Sequence, residues 1–529
     1  MDTACCRPRT AVAMIGSPKI EPLSHAITRK LQTKSHPDII AVLSGATMHK
    51  LILSLLLLVS TSGILHSQQY DLVLEGGRVM DPETGLDAVR NVGIRDGKIV
   101  RISPESLSGR RLIHASGLVV APGFIDLHQH SQDLASQRVK ALDGVTTALE
   151  LEIGAPDVAQ FLKAKEGRSL IHYGTSASQV AARSLVFSAP LPEGDILPKS
   201  GPATQQPASP EQINRILDRL RGELDAGGLA IGMGIQYTPG ATRLEVIDVF
   251  RLAAERRLPV YTHVRSSGRV EPGSSIESIS EVIGAAAITG ASLHIVHINS
   301  TCSSDSMECL SMIEGARARG LDVTTEAYPY TAGMTAINSA VFNPGWQKRM
   351  GIDYGNLVLP ETGEHLTKDR FDALYRSSTT HFVLVFGYTQ EVLDQVIPNS
   401  LVMIASDGLE GHPRNAGTYS RVLAQYVREK GTITLMDALR KMSLMPAEML
   451  ERSTPAARLK GRLQEGADAD IVVFDAESIT DRSTFEKPME PSTGVRYLLV
   501  GGTVVVDDGK IVDGVFPGRA LLGLGKRWP

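Results

Sequence analysis

Three short apolar runs in this 529-residue chain end in a histidine or an aspartate: LPVYTH at His263, LHIVH at His297 and LVMIASD at Asp407. A fourth, in PGFIDLHQH, leads into His128 and His130, two imidazoles one residue apart. Alternate residues of a strand project to the same side, so both rings can reach one metal ion. Four strand ends carrying His, His, His and Asp are poorly explained as separately satisfied core residues. Glu150 and Glu152 stand two apart in TTALELE, an otherwise apolar run, and a carboxylate aimed into a barrel needs a counter-charge. A divalent cation supplies it. Glu152, nearer the strand end, is the preferred ligand shared between two ions, with Glu150 as the fallback; a salt bridge to a buried Arg or Lys is the competing explanation. Imidazoles with one or two carboxylates suit Zn²⁺, one ion or two, which lowers the pKa of bound water to about 7. Asp407 can take the proton of that water and return it to a leaving nitrogen. Hydrolysis of a carbon–nitrogen bond is the expected chemistry, although spacing alone equally admits an ester or a phosphoester.

Such groups must be positioned by a parallel sheet. Strand and helix patterns alternate from Gly123 to about Glu451, as in a (β/α)8 barrel, whose catalytic groups stand at the C-terminal ends of its strands. Residues 209–227 give a clear helix: Ser209 and Gln212 form a capping box, Pro210 fits the first turn, and Ile213, Ile216, Leu217, Leu220 and Leu224 recur at helical spacing. A doubly wound open sheet is the alternative, but no G-x-G-x-x-G follows a first strand. Both ends of the chain are β-patterned with the same G-G and D-G punctuation, at Gly76-Gly77 and Asp96-Gly97 and again at Gly501-Gly502 and Asp508-Gly509. The expected architecture is a barrel over residues 123–455 joined to a small β-sandwich assembled from residues 68–122 and 456–529.

A hydrophobic fraction of 42% provides a large core, and a net charge of -4 argues against nucleic acid or an anionic membrane as partner, leaving a small-molecule substrate. The four cysteines, Cys5, Cys6, Cys302 and Cys309, have no C-x-x-C spacing and read as neither a zinc ribbon nor a disulfide framework. Met48 opens MHKLILSLLLLVSTSGILHSQ, with a basic n-region, a short apolar core and small residues at a cleavage zone. This is the pattern of a signal peptide over residues 48–67, implying a periplasmic or secreted protein with no stable membrane anchor. Residues 1–47 then read as a disordered extension from a start assigned too far upstream. The Pro- and Gly-bearing segment 187–208 reads as a loop that shapes the pocket.

The stretches PGFIDLHQH, DGVTTALELEIG, EAYPYTAGMT, IASDG, HPRNAGTYSRVLAQYVRE and GRLQEGADADIVVFD together resemble the amidohydrolase superfamily, and within it the N-acyl-D-amino-acid deacylases, or D-aminoacylases. The resemblance runs from about Tyr70 to the C-terminus. It implies a zinc-containing barrel with a small β-sandwich that cleaves N-acyl-D-amino acids to a carboxylate and a free D-amino acid. It implies His128, His130, His263 and His297 as metal ligands and Asp407 as acid/base. Arg414, in HPR, would grip the substrate α-carboxylate; Tyr330, in preference to Tyr328, would hold that carboxylate or the oxyanion. His294, at odd spacing from His297, would lie on the other side of the strand as a structural residue or a support for the ligands, and His172 could line the pocket, although a satisfied core histidine is the preferred reading. Where those deacylases carry G-N-C-G with a bridging cysteine, this chain has Leu151-Glu152-Ile153-Gly154. The acidic residue that follows their fifth-strand H-x-R is replaced by Ser266-Ser267. Cyclic-amide hydrolases of the hydantoinase or dihydroorotase kind and isoaspartyl dipeptidases are the alternatives, but they use a bridging lysine with no candidate here; an inactive scaffold on this fold would have lost ligands.

Overall fold

The computed structural model describes residues 69–525 except 190, 192–196 and 199; the signal peptide and the segment before it lie outside the described residues. Eight strands form a parallel sheet: β1 Phe124–Asp126, β2 Val145–Ala155, β3 His172–Ser178, β4 Ile231–Gly234, β5 Val260–His263, β6 Leu293–Ile295, β7 Val323–Ala327 and β8 Val402–Ile404. β8 and β1 meet through Gly408, whose N–H donates to His128 O at 3.2 Å and whose carbonyl accepts from His130 N at 2.9 Å. A Cβ on Gly408 would stand 2.0 Å from Gln129 Oε1, so a larger residue at this seam must displace the Gln129 amide. Gly123 of the PGF turn is more tightly constrained, its missing Cβ falling 2.2 Å from Thr146 Cγ2 and 2.8 Å from Thr146 Cβ.

Side chains alternate along the strands. On β5, β6 and β8, Val260, Leu293, Ile295, Val402 and Ile404 join the core beneath the helices, while Tyr261 and Met403 join an inner cluster. The predicted helix forms over Pro210–Asp225, with the Ser209–Gln212 capping box closed and Ile213, Ile216, Leu217, Leu220 and Leu224 all buried. Each such side chain contributes roughly 1.5–3 kcal/mol relative to exposure.

Both chain ends build one sheet. Val119–Pro122 pairs in parallel with Tyr70–Asp81 on one side and antiparallel with Ile471–Phe474 on the other. Nine strands from the two ends of the chain are linked through hydrogen-bonded neighbours. Its alternation serves two cores: Ala121, Val472 and Phe474 join the barrel core, while Val120, Ile471 and Val473 join a cluster within the sheet domain. A feature absent from the sequence reading is an insert between β7 and β8. Gly333–Ala336, Leu357–Val358 and Phe382–Val385 make a three-stranded antiparallel sheet over a core that includes Phe342, Trp346 and Phe371. Among the described residues no helix is long and apolar enough to cross a membrane.

Candidate active site

The predicted ligands come from five strand ends and meet at Glu152. Its Oε2 lies 3.2 Å from both His128 Nε2 and His130 Nε2, which are 3.1 Å from each other. Its Oε1 lies 2.8 Å from His263 Nδ1 and 3.0 Å from His297 Nε2, themselves 3.2 Å apart. Donors in tetrahedral array 2.0–2.1 Å from a common zinc ion stand about 3.3 Å from one another. Each triangle therefore has the size of one face of a metal coordination shell, and Glu152 belongs to both. Asp407 Oδ1 adds a third contact to the first pair, 3.4 Å from His128 Nε2 and 3.2 Å from His130 Nε2.

Electrostatics agree with a cation. Burial works against a charged His128, yet Glu152, Asp407 and Glu326 lift it to about 10. Burial likewise opposes ionisation of Glu152, and His128, His130 and His263 override it, holding the carboxylate well below its usual range. Without metal the cluster collects protons where positive charge is wanted, and the donor set fits zinc.

Backbone geometry places two of these groups. β6 stops at Ile295, and His297 follows in the left-handed region at φ 31°; Asp407 sits beyond β8 at φ 50°. Such conformations are costly for residues with a Cβ and gather at functional sites. The break at His297 also changes the side of the strand on which His294 was expected, while leaving it a support for Glu326. Strand alternation does not carry across the break, and His294 faces inward beside the ligands, donating to or accepting from Thr324 Oγ1 at 2.8 Å and meeting Glu326 Oε2 at 3.1 Å.

The outer faces of the rings have partners that sequence reasoning largely missed. Glu326 Oε1 lies 2.6 Å from His128 Nδ1, and Glu150, the fallback ligand, lies 2.6 Å from His130 Nδ1. His263 Nε2 meets Gln236 Oε1 at 2.6 Å, while His297 Nδ1 meets Ser300 and Thr301 hydroxyls at 3.0 and 3.1 Å. The available signal for Glu326 was a lone carboxylate in the buried strand VTTEA. His172 is remote from the cluster, pairing with Asp470 Oδ1 at 3.0 Å.

The cluster lies at the base of a cavity of about 720 Å³, walled on its apolar side by Ile153, Val341 and Phe382 and also by Leu197 and Pro198 of the loop after β3. Tyr328 is part of this wall; its oxygen accepts the Tyr388 O–H at 3.0 Å. The preference for Tyr330 is overturned. That ring lies outside the wall, with its hydroxyl 3.3 Å from both Asp481 Oδ2 and Ser483 Oγ and Arg421 over its face. Arg414 is also placed differently from the expectation. It is 1% exposed, behind the wall, with NH1 2.9 Å from Asp407 Oδ2 and its guanidinium 4.6 Å from the Tyr328 ring centre. The NH1 approach is too oblique for a hydrogen bond, so the contact is an ion pair, and Nε too is unpartnered. Burial opposes the Asp407 charge, but Arg414, then His128 and His130, hold this carboxyl below its usual range. One further correction concerns Cys302 and Cys309, which form a disulfide directly after the His297 segment. Its x6 spacing carries no motif.

Comparison with known proteins agrees with this geometry. N-acyl-D-glutamate deacylase of Alcaligenes xylosoxydans xylosoxydans is 29% identical over 471 residues, covering 83% of this chain and 94% of that protein. D-aminoacylase of the same organism is 29% identical over 487 residues, covering 86% and 98%. The crystal structure of N-acyl-D-glutamate deacylase from Bordetella bronchiseptica, complexed with zinc and a phosphonate mimic of the tetrahedral intermediate, superposes with a TM-score of 0.71 at 26% identity, over 86% of this chain and all of that one. A model of the amidohydrolase family matches residues 203–506, more than half of the chain and the part that supplies His263, His297 and Asp407. With strand-end histidines and an aspartate gathered around one carboxylate, the chain belongs to the amidohydrolase family.

Proposed function

We propose that this chain is a zinc-dependent deacylase that hydrolyses the amide bond of N-acyl-D-amino acids, releasing a carboxylate and a free D-amino acid. The observation that carries the proposal is the position of Glu152, in contact with both imidazole pairs, with Asp407 beside one of them. The relatedness to N-acyl-D-amino-acid deacylases over more than four fifths of the chain supports the substrate class. His128, His130, Glu152, His263, His297 and Asp407 would hold zinc, which when bound supplies Lewis acidity and a water acidic enough to ionise near neutral pH.

The chain's own residues do the remaining work. Asp407, kept ionised by Arg414, accepts the proton of the attacking water at Oδ1 and passes it to the leaving nitrogen. Because Tyr388 donates to the Tyr328 oxygen, the Tyr328 hydrogen is left to donate toward the substrate carbonyl or carboxylate. Arg414 stands behind this tyrosine as a cation whose buried Nε needs an acceptor. Ile153, Val341 and Phe382 keep bulk water from the reacting groups.

Offering N-acetyl-D-amino acids, their L-enantiomers and hydantoins to the purified protein tests the reading. Turnover of the D series is expected; hydantoin turnover with inert N-acyl-D-amino acids would replace it with a cyclic-amide hydrolase. We propose further that the protein is exported by the leader beginning at Met48. The Cys302–Cys309 disulfide supports an oxidising compartment, where such bonds persist. N-terminal sequencing of the native protein is expected to begin after residue 60, and a chain beginning before Met48 would refute export.

A further inference from the structure

Relatedness leaves the charge of the D-amino-acid side chain open, since the N-acyl-D-glutamate deacylase and the D-aminoacylase are equally identical to this chain. The cavity wall is more decided. Among the described residues that line it there is no lysine and no arginine. Four guanidinium groups near it are committed elsewhere. Arg414 pairs with Asp407, and Arg265 with both oxygens of Glu281, at 2.8 and 2.6 Å. Arg349 donates to the Pro344 and Asn343 carbonyls. Arg269, exposed and not part of the wall, donates through NH2 to Ser303 Oγ at 3.0 Å and to the Gly387 carbonyl at 2.9 Å. The wall instead carries two exposed carboxylates, Glu361 and Glu410, neither in an ion pair among the described residues. Their segments adjoin, because a Cβ on Gly411 would stand 3.7 Å from Pro360 Cβ and 3.1 Å from Met334 Cε. From Met334 the insert strand leads on to Asn338 and Ser339, two further lining residues, 7% and 1% exposed. Asn338 Oδ1 and Ser339 Oγ have no hydrogen-bond partner among the described residues.

A buried amide oxygen and hydroxyl without partners are costly unless a ligand supplies the missing hydrogen bonds. Both groups are uncharged, so they can satisfy a polar side chain but cannot neutralise an acidic one. A side-chain carboxylate entering this space would leave water with no cation to meet it, in a cavity that already holds Glu152 and Asp407 and carries Glu361 and Glu410 on its wall. The α-carboxylate is common to every substrate and drops out of the comparison. Resting on the deacylase reading above, we infer that this cavity selects N-acyl-D-amino acids by side-chain charge: it takes neutral and basic side chains and excludes acidic ones. Asn338 and Ser339 are then the specificity-determining contacts of a neutral polar side chain, and Glu361 and Glu410 those of a basic one. The rejection of acids comes from uncompensated charge and not from size, which is specificity by penalty.

N-acetyl-D-glutamine and N-acetyl-D-glutamate share a shape and differ in charge, so kcat/KM for this pair, measured on the zinc-loaded protein, isolates the effect. The amide is expected to be preferred by about 100-fold, with Nα-acetyl-D-lysine turned over alongside it. Glu361→Gln combined with Glu410→Gln should lower kcat/KM for the lysine derivative relative to the glutamine one, by about two- to fivefold for each carboxylate removed. High salt should shrink that change. Asn338→Arg should narrow the gap between the glutamine and glutamate derivatives by about tenfold or more. Met334→Arg, at a half-buried position on the same insert strand, tests this independently should the first variant misfold. A glutamate derivative turned over within about tenfold of the glutamine one would overturn the inference while leaving the deacylase reading intact. So would a lysine-to-glutamine ratio unmoved by removing both carboxylates. Turnover of no N-acetyl-D-amino acid at all would overturn both.

Discussion

Arg414 NH1 stands 2.9 Å from Asp407 Oδ2, the oxygen opposite the one that faces His128 and His130. One carboxylate thus touches a permanent cation on one side and the imidazole pair on the other. Asp407→Asn, which keeps the shape and removes the base, is expected to lower kcat by about 10²- to 10⁴-fold with the circular dichroism spectrum unchanged. Near-normal turnover would remove Asp407 from the acid/base role. Arg414→Met takes away the cation that favours the ionised form, so the proton affinity of Asp407 rises and the acid limb of kcat/KM moves to higher pH. A pH–rate profile checks the direction, and an unmoved limb would count against the coupling.

Removing metal should do more than stop turnover. Glu152, Glu150, Glu326 and Asp407 remain buried around the vacated position, so dialysis against a chelator is expected to lower the melting temperature as well as activity, and added zinc should restore both. Differential scanning calorimetry beside an activity assay makes the measurement. Full activity in protein stripped to less than a tenth of an equivalent of metal would end the zinc-dependent reading.

Gly123→Ala tests the turn that feeds the first strand. The added Cβ would fall 2.2 Å from Thr146 Cγ2, and the two backbones must separate to admit it. A loss of about 1–3 kcal/mol is expected, read as a lower denaturant midpoint. An unchanged midpoint would show that this strand entry yields without cost.

Asp470 ties the sheet domain to the barrel through His172 at 3.0 Å and is also held, within its own domain, by Lys460 at 2.6 Å. Burial opposes its charge, but these two partners win and hold its carboxyl below the usual range. A depressed acid contributes stability that is present above the unfolded carboxylate value, about 3.9, and is lost as pH falls beneath it. Melting temperature should therefore drop steeply below about pH 4, and Asp470→Asn should be less stable at pH 7 with a flatter acid slope. A variant whose melting curve against pH parallels the parent would refute this assignment.

How far the site could be read from the residues follows from the range of the forces involved. The gathering of the four histidines was legible because they close apolar runs, and that of Glu152 because a carboxylate in TTALELE had to be answered by something positive. Glu326 and Gln236 were not, since their meaning lies in contact with a ring contributed by another strand. The choice between Tyr328 and Tyr330 failed for a related reason. Both sit just past the end of β7, and which one enters the cavity is decided by Asp481 and Ser483, far along the chain, which capture the hydroxyl of Tyr330. The three-stranded insert escaped notice because its strands are two to four residues long, too short for alternation to show.

The pairing of the two chain ends bears on when this protein can first bind an ion during its synthesis. Lys98 and Asp468 are hydrogen-bonded yet 370 residues apart, and the seam at Gly408 joins the first barrel strand made to the last. A nascent chain carries His128 and His130 early, but Asp407, which joins them in the fold, emerges from the ribosome only after most of the barrel has been translated. The complete cluster is thereby postponed until translation is nearly finished.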